Sequence, residues 1–210
     1  MIAASDSTNP PQAPSWGEEL GRRAPNALTL LRIFLVPLFV FLLVNPTPTG
    51  NLWATGIFIV ASITDWLDGY LARIYQAESI FGTLFDPLAD KILVMAALVM
   101  LCAVPQEPRV PAWIVVVLLS REMVVGALRS LAAVRGIVVP ASRWAKHKTA
   151  WTMLALSCLL INEPYEPFGI LVNFHLSGMV FLWLALIFSI TTGLGYGVAL
   201  RDFFSPITKE

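Results

Sequence analysis

The chain has 210 residues, 14 of them basic and 14 acidic, so its formal net charge is zero. Hydrophobic residues make up 57% and charged residues 13%, roughly half the ~25% charge of a soluble globular protein. With a mean hydropathy of +0.72 the chain cannot cover its surface with polar groups, which excludes a soluble domain, a disordered chain, a disulfide scaffold or a solvated nucleic-acid binder and leaves a polytopic membrane protein.

In chain order, residues 1–15 are rich in Pro, Ser and Ala and hold no apolar core. They read as a disordered cytoplasmic tail and not as a cleavable signal peptide. Residues 16–24 read as a juxtamembrane amphipathic segment, with Trp16 and Leu20 toward lipid and Arg22 and Arg23 toward headgroups, or as a plain linker. The first apolar run, 28–44, ends at Asn-Pro-Thr-Pro-Thr-Gly-Asn (45–51), a stretch expected to break the helix. The second runs from Leu52 to about Tyr75 and the third from Pro87 to Val104, with Asp86 as a candidate N-cap. The fourth covers about 111–133 and the fifth about 148–161. A long run at 168–200 follows, too long for one level span, so its first residues are expected in the outer interface. A span needs about 20 helical residues, and lipid leaves the backbone no alternative to a helix or a closed barrel. The expected fold is all-α and integral to the membrane, with six transmembrane helices over 25–201 and a cytoplasmic C-terminal tail over 202–210.

Basic residues test that count independently. With the N-terminus in the cytoplasm, Arg22, Arg23, Arg32, Arg73, Lys91, Arg121, Arg129, Arg135, Arg143, Lys146, Lys148, Arg201 and Lys209 fall inside and only Arg109 falls outside. This is the positive-inside bias of a consistent topology, with both termini cytoplasmic. Cys102 and Cys158 each sit in an apolar run and read as small buried hydrophobes. Gly193, Gly195 and Gly197 have no strand before them and read as small residues that let helices pack closely.

Ionisable residues at membrane depth are functional candidates. Asp65, Asp68, Asp86 and Asp90 fall within 26 residues, at the inner ends of the second and third runs. Asp65, Asp68, Gly69 and Ala72 share one helical face by their i, i+3, i+4, i+7 spacing, and Gly82, Asp86 and Asp90 share another. Two helices joined by a short link pack antiparallel, so these faces can converge. Four converging carboxylates repel one another unless cations lie between them. Hard oxygen donors without Cys or His select Mg²⁺, Mn²⁺ or Ca²⁺, and four carboxylates suffice for two ions that clamp a phosphoryl group. Gly69 and Gly82 leave room for a bulky ligand, and Arg73 is suited to a phosphate. A divalent-cation carrier would also need buried carboxylates.

The pattern Asp65-x2-Asp68-Gly69-x2-Ala72-Arg73-x8-Gly82-x3-Asp86-x3-Asp90 resembles the signature of the CDP-alcohol phosphatidyltransferase family. The resemblance implies six transmembrane helices, usually a homodimer, with the site open to the cytoplasm of a bacterial-type inner membrane. It implies that an alcohol attacks the β-phosphorus of CDP-diacylglycerol and that CMP leaves. Asp65, Asp68, Asp86 and Asp90 would hold two Mg²⁺ or Mn²⁺ ions, with Asp90 also the general base. Gly69, Ala72, Arg73, Ser79 and Gly82 would contact the CDP-lipid, as would Asn26 and Thr29 in the opening Pro25-Asn26-Ala27-Leu28-Thr29-x2-Arg32. Asn26 reads equally as a helix cap, and Arg32 as a snorkelling side chain.

Deep in the fourth run lies Ser120-Arg121-Glu122, followed by Arg129, which shares a face with Glu122 and is a candidate charge partner for it. Ser142-Arg143-Trp144-Ala145-Lys146-His147-Lys148-Thr149 enters the fifth run. These stretches resemble the branch of the family whose acceptor is sn-glycerol 3-phosphate, apart from Ala145, where those relatives usually have Gly. Arg121, Arg129, Lys146 and Lys148 would then bind the phosphate of a small phosphorylated alcohol, and the product would be phosphatidylglycerol phosphate. Inositol phosphate and phosphatidylglycerol are the other acceptors considered. His147, between two basic residues, reads as a headgroup contact.

Overall fold

The protein is described by a computed structural model over residues 16–75, 80–103, 107–134, 143–166 and 171–204, with side chains over 30–64, 91–103, 107–134, 147–166 and 171–197. Six α-helices account for most of it: α1 (Trp16–Val44), α2 (Pro48–Tyr75), α3 (Ile80–Ala103), α4 (Ala112–Val134), α5 (Arg143–Ile161) and α6 (Phe174–Phe204). Two short strands, β1 (Pro164–Tyr165) and β2 (Val172–Asn173), pair antiparallel with Pro164 opposite Asn173 and Tyr165 opposite Val172. The expected N-terminal tail at 1–15 lies outside the described residues, as do 205–210. At the C-terminus α6 continues to Phe204, past the expected start of the tail at 202.

Helix boundaries differ from the sequence expectation where local capping outweighs composition. The segment 45–51 is not all breaker, because α2 begins at Pro48. Thr47 caps it: its Oγ1 accepts the Gly50 N–H at 3.0 Å, and its carbonyl accepts the Asn51 N–H at 2.8 Å. Pro48 then sits in the first helical position, where the missing N–H costs nothing. Helix α3 begins at Ile80, so Asp86 lies inside the helix and is not its N-cap. Ile80 to Phe85 is helix-compatible, and the helix continues through Pro87 despite the hydrogen bond the proline forfeits and its crowding of the carbonyl four residues back. Asn26 is likewise ten residues inside α1 and caps nothing, since α1 runs unbroken from Trp16 through Pro25. Helix α6 starts at Phe174, later than the apolar run that leads into it, because 172–173 are taken up by β2. Asn173 Oδ1 accepts the Leu176 N–H at 2.9 Å and caps α6.

Helix α5 stops at Asn162, whose φ of 57° is the left-handed conformation that ends helices. Its side-chain oxygen lies 2.7 Å from His175 Nδ1, tying the end of α5 to the start of α6.

Packing is most extensive between α5 and α6 and between α1 and both α2 and α3, whereas α4 touches α6 and α3 more lightly. The buried stripe of α1 is Arg32, Val36, Phe39 and Leu43, spaced as one helical face. Arg32 is therefore not a snorkelling side chain. It is 2% exposed because it lies on the packed face. Phe39 and Phe58 meet in the core with ring centroids 6.3 Å apart. On α5, Thr152, Ala155, Leu156 and Leu159 form the matching stripe.

Many large apolar side chains remain exposed, including Phe34 (73%), Phe41 (74%) and Leu194 (67%). Among the described residues, Phe174–Gly197 is long and apolar enough to cross a bilayer alone, and Leu30–Val44 and Lys91–Ala103 are shorter apolar helices. Cys102 and Cys158 are free thiols, half-buried.

The close α5–α6 approach depends on Gly178, not on the glycines singled out from the sequence. A Cβ at Gly178 would lie 2.7 Å from Leu159 Cγ and 3.0 Å from the Leu159 backbone nitrogen, whereas Gly195 and Gly197 face open space. Gly178→Ala should therefore destabilise the protein in detergent by about 1–3 kcal/mol as the helices are forced apart. Gly195→Ala should be neutral or stabilising, since it only improves helix propensity. Thermal denaturation of both variants checks this.

Candidate active site

The four aspartates lie on the two helices flanking the link 76–79: Asp65 and Asp68 on α2, Asp86 and Asp90 on α3. Asp65 is ten residues before the end of α2 and Asp90 ten residues after the start of α3, each about 15 Å along its helix. Asp68 and Asp86 are seven and six residues from the same ends, about 10 Å. A link of four residues returns the chain beside itself, and α2 and α3 are in contact. Counted from the link, Asp65 corresponds in position to Asp90 and Asp68 to Asp86 along their helices. Gly69, Ala72 and Arg73 follow on α2, Gly82 on α3, Asn26 and Thr29 on α1, and Lys146 on α5. The side chains of all these residues, and Ser79 entirely, lie outside the described residues.

Among the described residues the side chains of α4, α5 and α6 form a charged network. Arg121 is 13% exposed in its side chain and makes three kinds of contact. Its Nε donates to the Ser189 carbonyl at 2.9 Å, its Nη1 to Glu122 Oε1 at 2.8 Å and its Nη2 to Thr192 Oγ1 at 2.6 Å. Lys148 from α5 donates to the same Glu122 oxygen. Glu122 thus pairs with Arg121 within α4 and, across helices, with Lys148, as the expected charge pairing allows, while Arg129 on the same face finds another partner. Arg129 is turned toward α6 instead: its Nη2 donates to Tyr196 Oη at 3.0 Å, and its guanidinium carbon is 5.3 Å from the Tyr196 ring centre. The reason is geometric. Lys148 approaches Glu122 from a neighbouring helix, while the buried Tyr196 offers Arg129 both a hydroxyl and a ring face.

Ser189, Thr192 and Tyr196 were missed from the sequence, although their i, i+3, i+7 spacing draws one polar stripe down an apolar helix. The same face explains Gly193, where a Cβ would lie 3.3 Å from Arg121 Cγ. Of the three spaced glycines, it is the one that gives a neighbouring side chain room.

Between α3, α4 and α5 a cleft of about 80 Å³ opens beside this network. Lys91, Glu122, Lys148 and Thr152 line its polar side, and Leu98 and Leu118 are among the residues of its apolar wall. Lys91 was read from the sequence only as a topology signal. Its Nζ lies against Gly126, where a Cβ would come within 3.1 Å. The arrangement is a basic cleft with an apolar wall, suited to a ligand that carries phosphate.

Comparison with known proteins agrees with this chemistry. The sequence profile described as CDP-alcohol phosphatidyltransferase matches residues 22–191. A Bacillus subtilis (strain 168) protein named CDP-diacylglycerol–glycerol-3-phosphate 3-phosphatidyltransferase is 40% identical over 185 residues, covering 82% of this chain and 92% of its own. A protein of the same name from Rickettsia prowazekii (strain Madrid E) is 37% identical over 186 residues, covering 88% and 99%. A rice (Oryza sativa subsp. japonica) cardiolipin synthase (CMP-forming) is 39% identical over 150 residues, 66% of this chain and 46% of its own.

The grip of α6 on Arg121 can be tested directly. Thr192→Val keeps the side-chain volume and removes the hydroxyl, leaving a buried guanidinium donor without its acceptor. The expected loss is about 1–3 kcal/mol of stability, read by thermal denaturation against Thr191→Val on the exposed side of the same helix.

Proposed function

This chain belongs to the CDP-alcohol phosphatidyltransferase family, and from that premise we propose that it transfers the phosphatidyl group of CDP-diacylglycerol to sn-glycerol 3-phosphate, giving phosphatidylglycerol phosphate and CMP. It is a CDP-diacylglycerol-dependent phosphatidyltransferase. The observation that carries the reading is the basic cleft between α3, α4 and α5, since α3 is also the helix on which Asp86 and Asp90 stand. The relatives named for this acceptor align over nearly their whole length, which supports the same choice. A carrier of divalent cations is set aside by the family.

The donor set is made of carboxylates alone, which fits Mg²⁺ or Mn²⁺ and provides for two ions held by Asp65, Asp68, Asp86 and Asp90. When bound, such ions neutralise the diphosphate and the charge that develops during transfer. The chain's own part is to position and to move one proton. Asn26, Thr29, Gly69, Ala72, Arg73, Ser79 and Gly82 would hold the CDP-lipid. Arg121, Arg129, Lys146 and Lys148 would supply the positive potential that draws the acceptor phosphate in. Asp90 would take the proton of the acceptor hydroxyl as its oxygen bonds to the β-phosphorus. The bond from that phosphorus to the bridging oxygen breaks, and CMP leaves with the electron pair.

Six spans with both termini in the cytoplasm of a bacterial-type inner membrane, a catalytic domain over 25–201 and a homodimer complete the proposal. Exposed Phe34, Phe41 and Leu194 suit a lipid environment. Arg109, the one basic residue assigned outside, is paired with Glu107 at 2.8 Å, which blunts its charge there.

The decisive assay supplies purified protein with CDP-diacylglycerol, Mg²⁺ or Mn²⁺, and one acceptor at a time. CMP release is expected with glycerol 3-phosphate and should vanish on chelation; release only with phosphatidylglycerol or inositol phosphate would reassign the acceptor. Asp90→Asn should lower turnover by at least a factor of about 10³ while CDP-lipid binding is retained, the order expected for loss of a general base. An equal loss of binding would make Asp90 chiefly a metal ligand.

A further inference from the structure

We propose that Lys91 is the direct ligand of the acceptor's phosphate, a role no motif assigns to it, with Lys148 as its partner across the cleft. The inference rests on the transferase reading above and deepens it by naming the contact that selects a phosphorylated acceptor.

Three observations place Lys91 there. It lines the cleft together with Glu122 and Lys148. Its ammonium reaches α4 over Gly126, the one position there where a missing side chain lets it approach. Among the described residues it has no ion pair or hydrogen-bond partner, whereas the other cations near the cleft do. Arg121 is engaged by Ser189, Thr192 and Glu122, Arg129 by Tyr196, and Lys148 by Glu122. An ammonium in a partly buried, mostly apolar cleft is costly until an anion meets it.

The charge balance points to a phosphate monoester. Lys91 and Lys148 line the cleft with Glu122 as the single carboxylate among the described residues of its lining, and Arg121 neutralises Glu122 from outside the cleft, so both lysine charges are left to the ligand. The surplus suits a dianion. A cleft of about 80 Å³ is several times the ~10–15 Å³ that admits one water, which leaves room for a phosphate. The apolar wall raises the strength of each contact by excluding solvent. Glu122, held by two cations, is still able to accept a hydrogen bond from a hydroxyl on the acceptor.

Position along the chain supplies the link to the chemistry. Lys91 follows Asp90 directly, so the two positions lie about 100° apart around α3. One helix turn therefore presents the proposed base and the proposed phosphate ligand to adjoining sectors. A short acceptor with its hydroxyl at Asp90 and its phosphate at Lys91 would be held at both ends by neighbouring residues.

The test is a comparison of the full-length wild type with Lys91→Met, Lys91→Arg and Gly126→Ala, in detergent with Mg²⁺. For Lys91→Met, KM for glycerol 3-phosphate should rise at least tenfold while KM for CDP-diacylglycerol stays within twofold. Lys91→Arg should recover most of the loss, and Gly126→Ala, which displaces the ammonium without removing it, should raise the acceptor KM several-fold. Calorimetric titration with glycerol 3-phosphate alone should show weakened binding for Lys91→Met and unchanged CDP-diacylglycerol binding, the latter also confirming the fold. Titration with dispersed CDP-diacylglycerol and phosphatidylglycerol phosphate distinguishes a soluble phosphate from a lipid headgroup. An unchanged acceptor KM and affinity, or a loss confined to the CDP-lipid, would overturn the assignment. If wild type binds glycerol 3-phosphate through Lys91 but releases no CMP with it, the acceptor reading fails while the site stands.

Discussion

A carboxylate placed among apolar helices must be met by positive charge, and Glu122 is where this structure meets that demand. One of its oxygens receives Arg121 from its own helix and Lys148 from α5. Arg121 in turn is held to α6 through Ser189 and Thr192. Three helices are thus coupled through one carboxylate and one guanidinium. The coupling matters most for α4, which packs less closely against its neighbours than the other long helices do. Removing any member would leave the others charged and unmatched, which is why such networks act as a unit.

The same network shapes the space beside it. Because Arg121 and Arg129 are drawn toward α6, neither occupies the cleft between α3, α4 and α5. The cleft is left to Lys91 and Lys148, with an apolar wall below them. Helix α3, which forms one side of the cleft, also carries the Asp86 and Asp90 positions. A phosphate-bearing acceptor and a metal-bound diphosphate donor would then meet at the boundary between a basic and an acidic region. Transfer between them needs positioning and charge neutralisation more than covalent help from the protein.

How far the sequence could be read depends on whether a feature is periodic or three-dimensional. The number of helices, the breaks between them and the spacing of the aspartates all follow from runs and intervals, and they were legible. Helix starts were less so. Thr47 and Asn173 act through single hydrogen bonds to backbone groups three residues on, a signal easily hidden by a nearby run of Pro and Gly or of apolar residues. The burial of Arg32 was misjudged because an arginine near a helix end snorkels by default, and only the packing of α1 on α2 and α3 shows which face it occupies. Gly178 was overlooked in favour of three spaced glycines, since nothing in a one-dimensional string says which glycine faces Leu159.

By itself, then, the sequence determined the class of molecule, its helices and the acidic pattern on which the proposed chemistry rests. Hydropathy, charge scarcity and i, i+3, i+4 spacing are local properties that survive without a fold. The tertiary structure decided the pairing of charges: Glu122 with Lys148 and not Arg129, Arg129 with Tyr196, and Lys91 in the cleft over Gly126. These choices depend on which helices lie side by side. A charge finds its partner through distance in space, and separations of 26 or 67 residues along the chain conceal it.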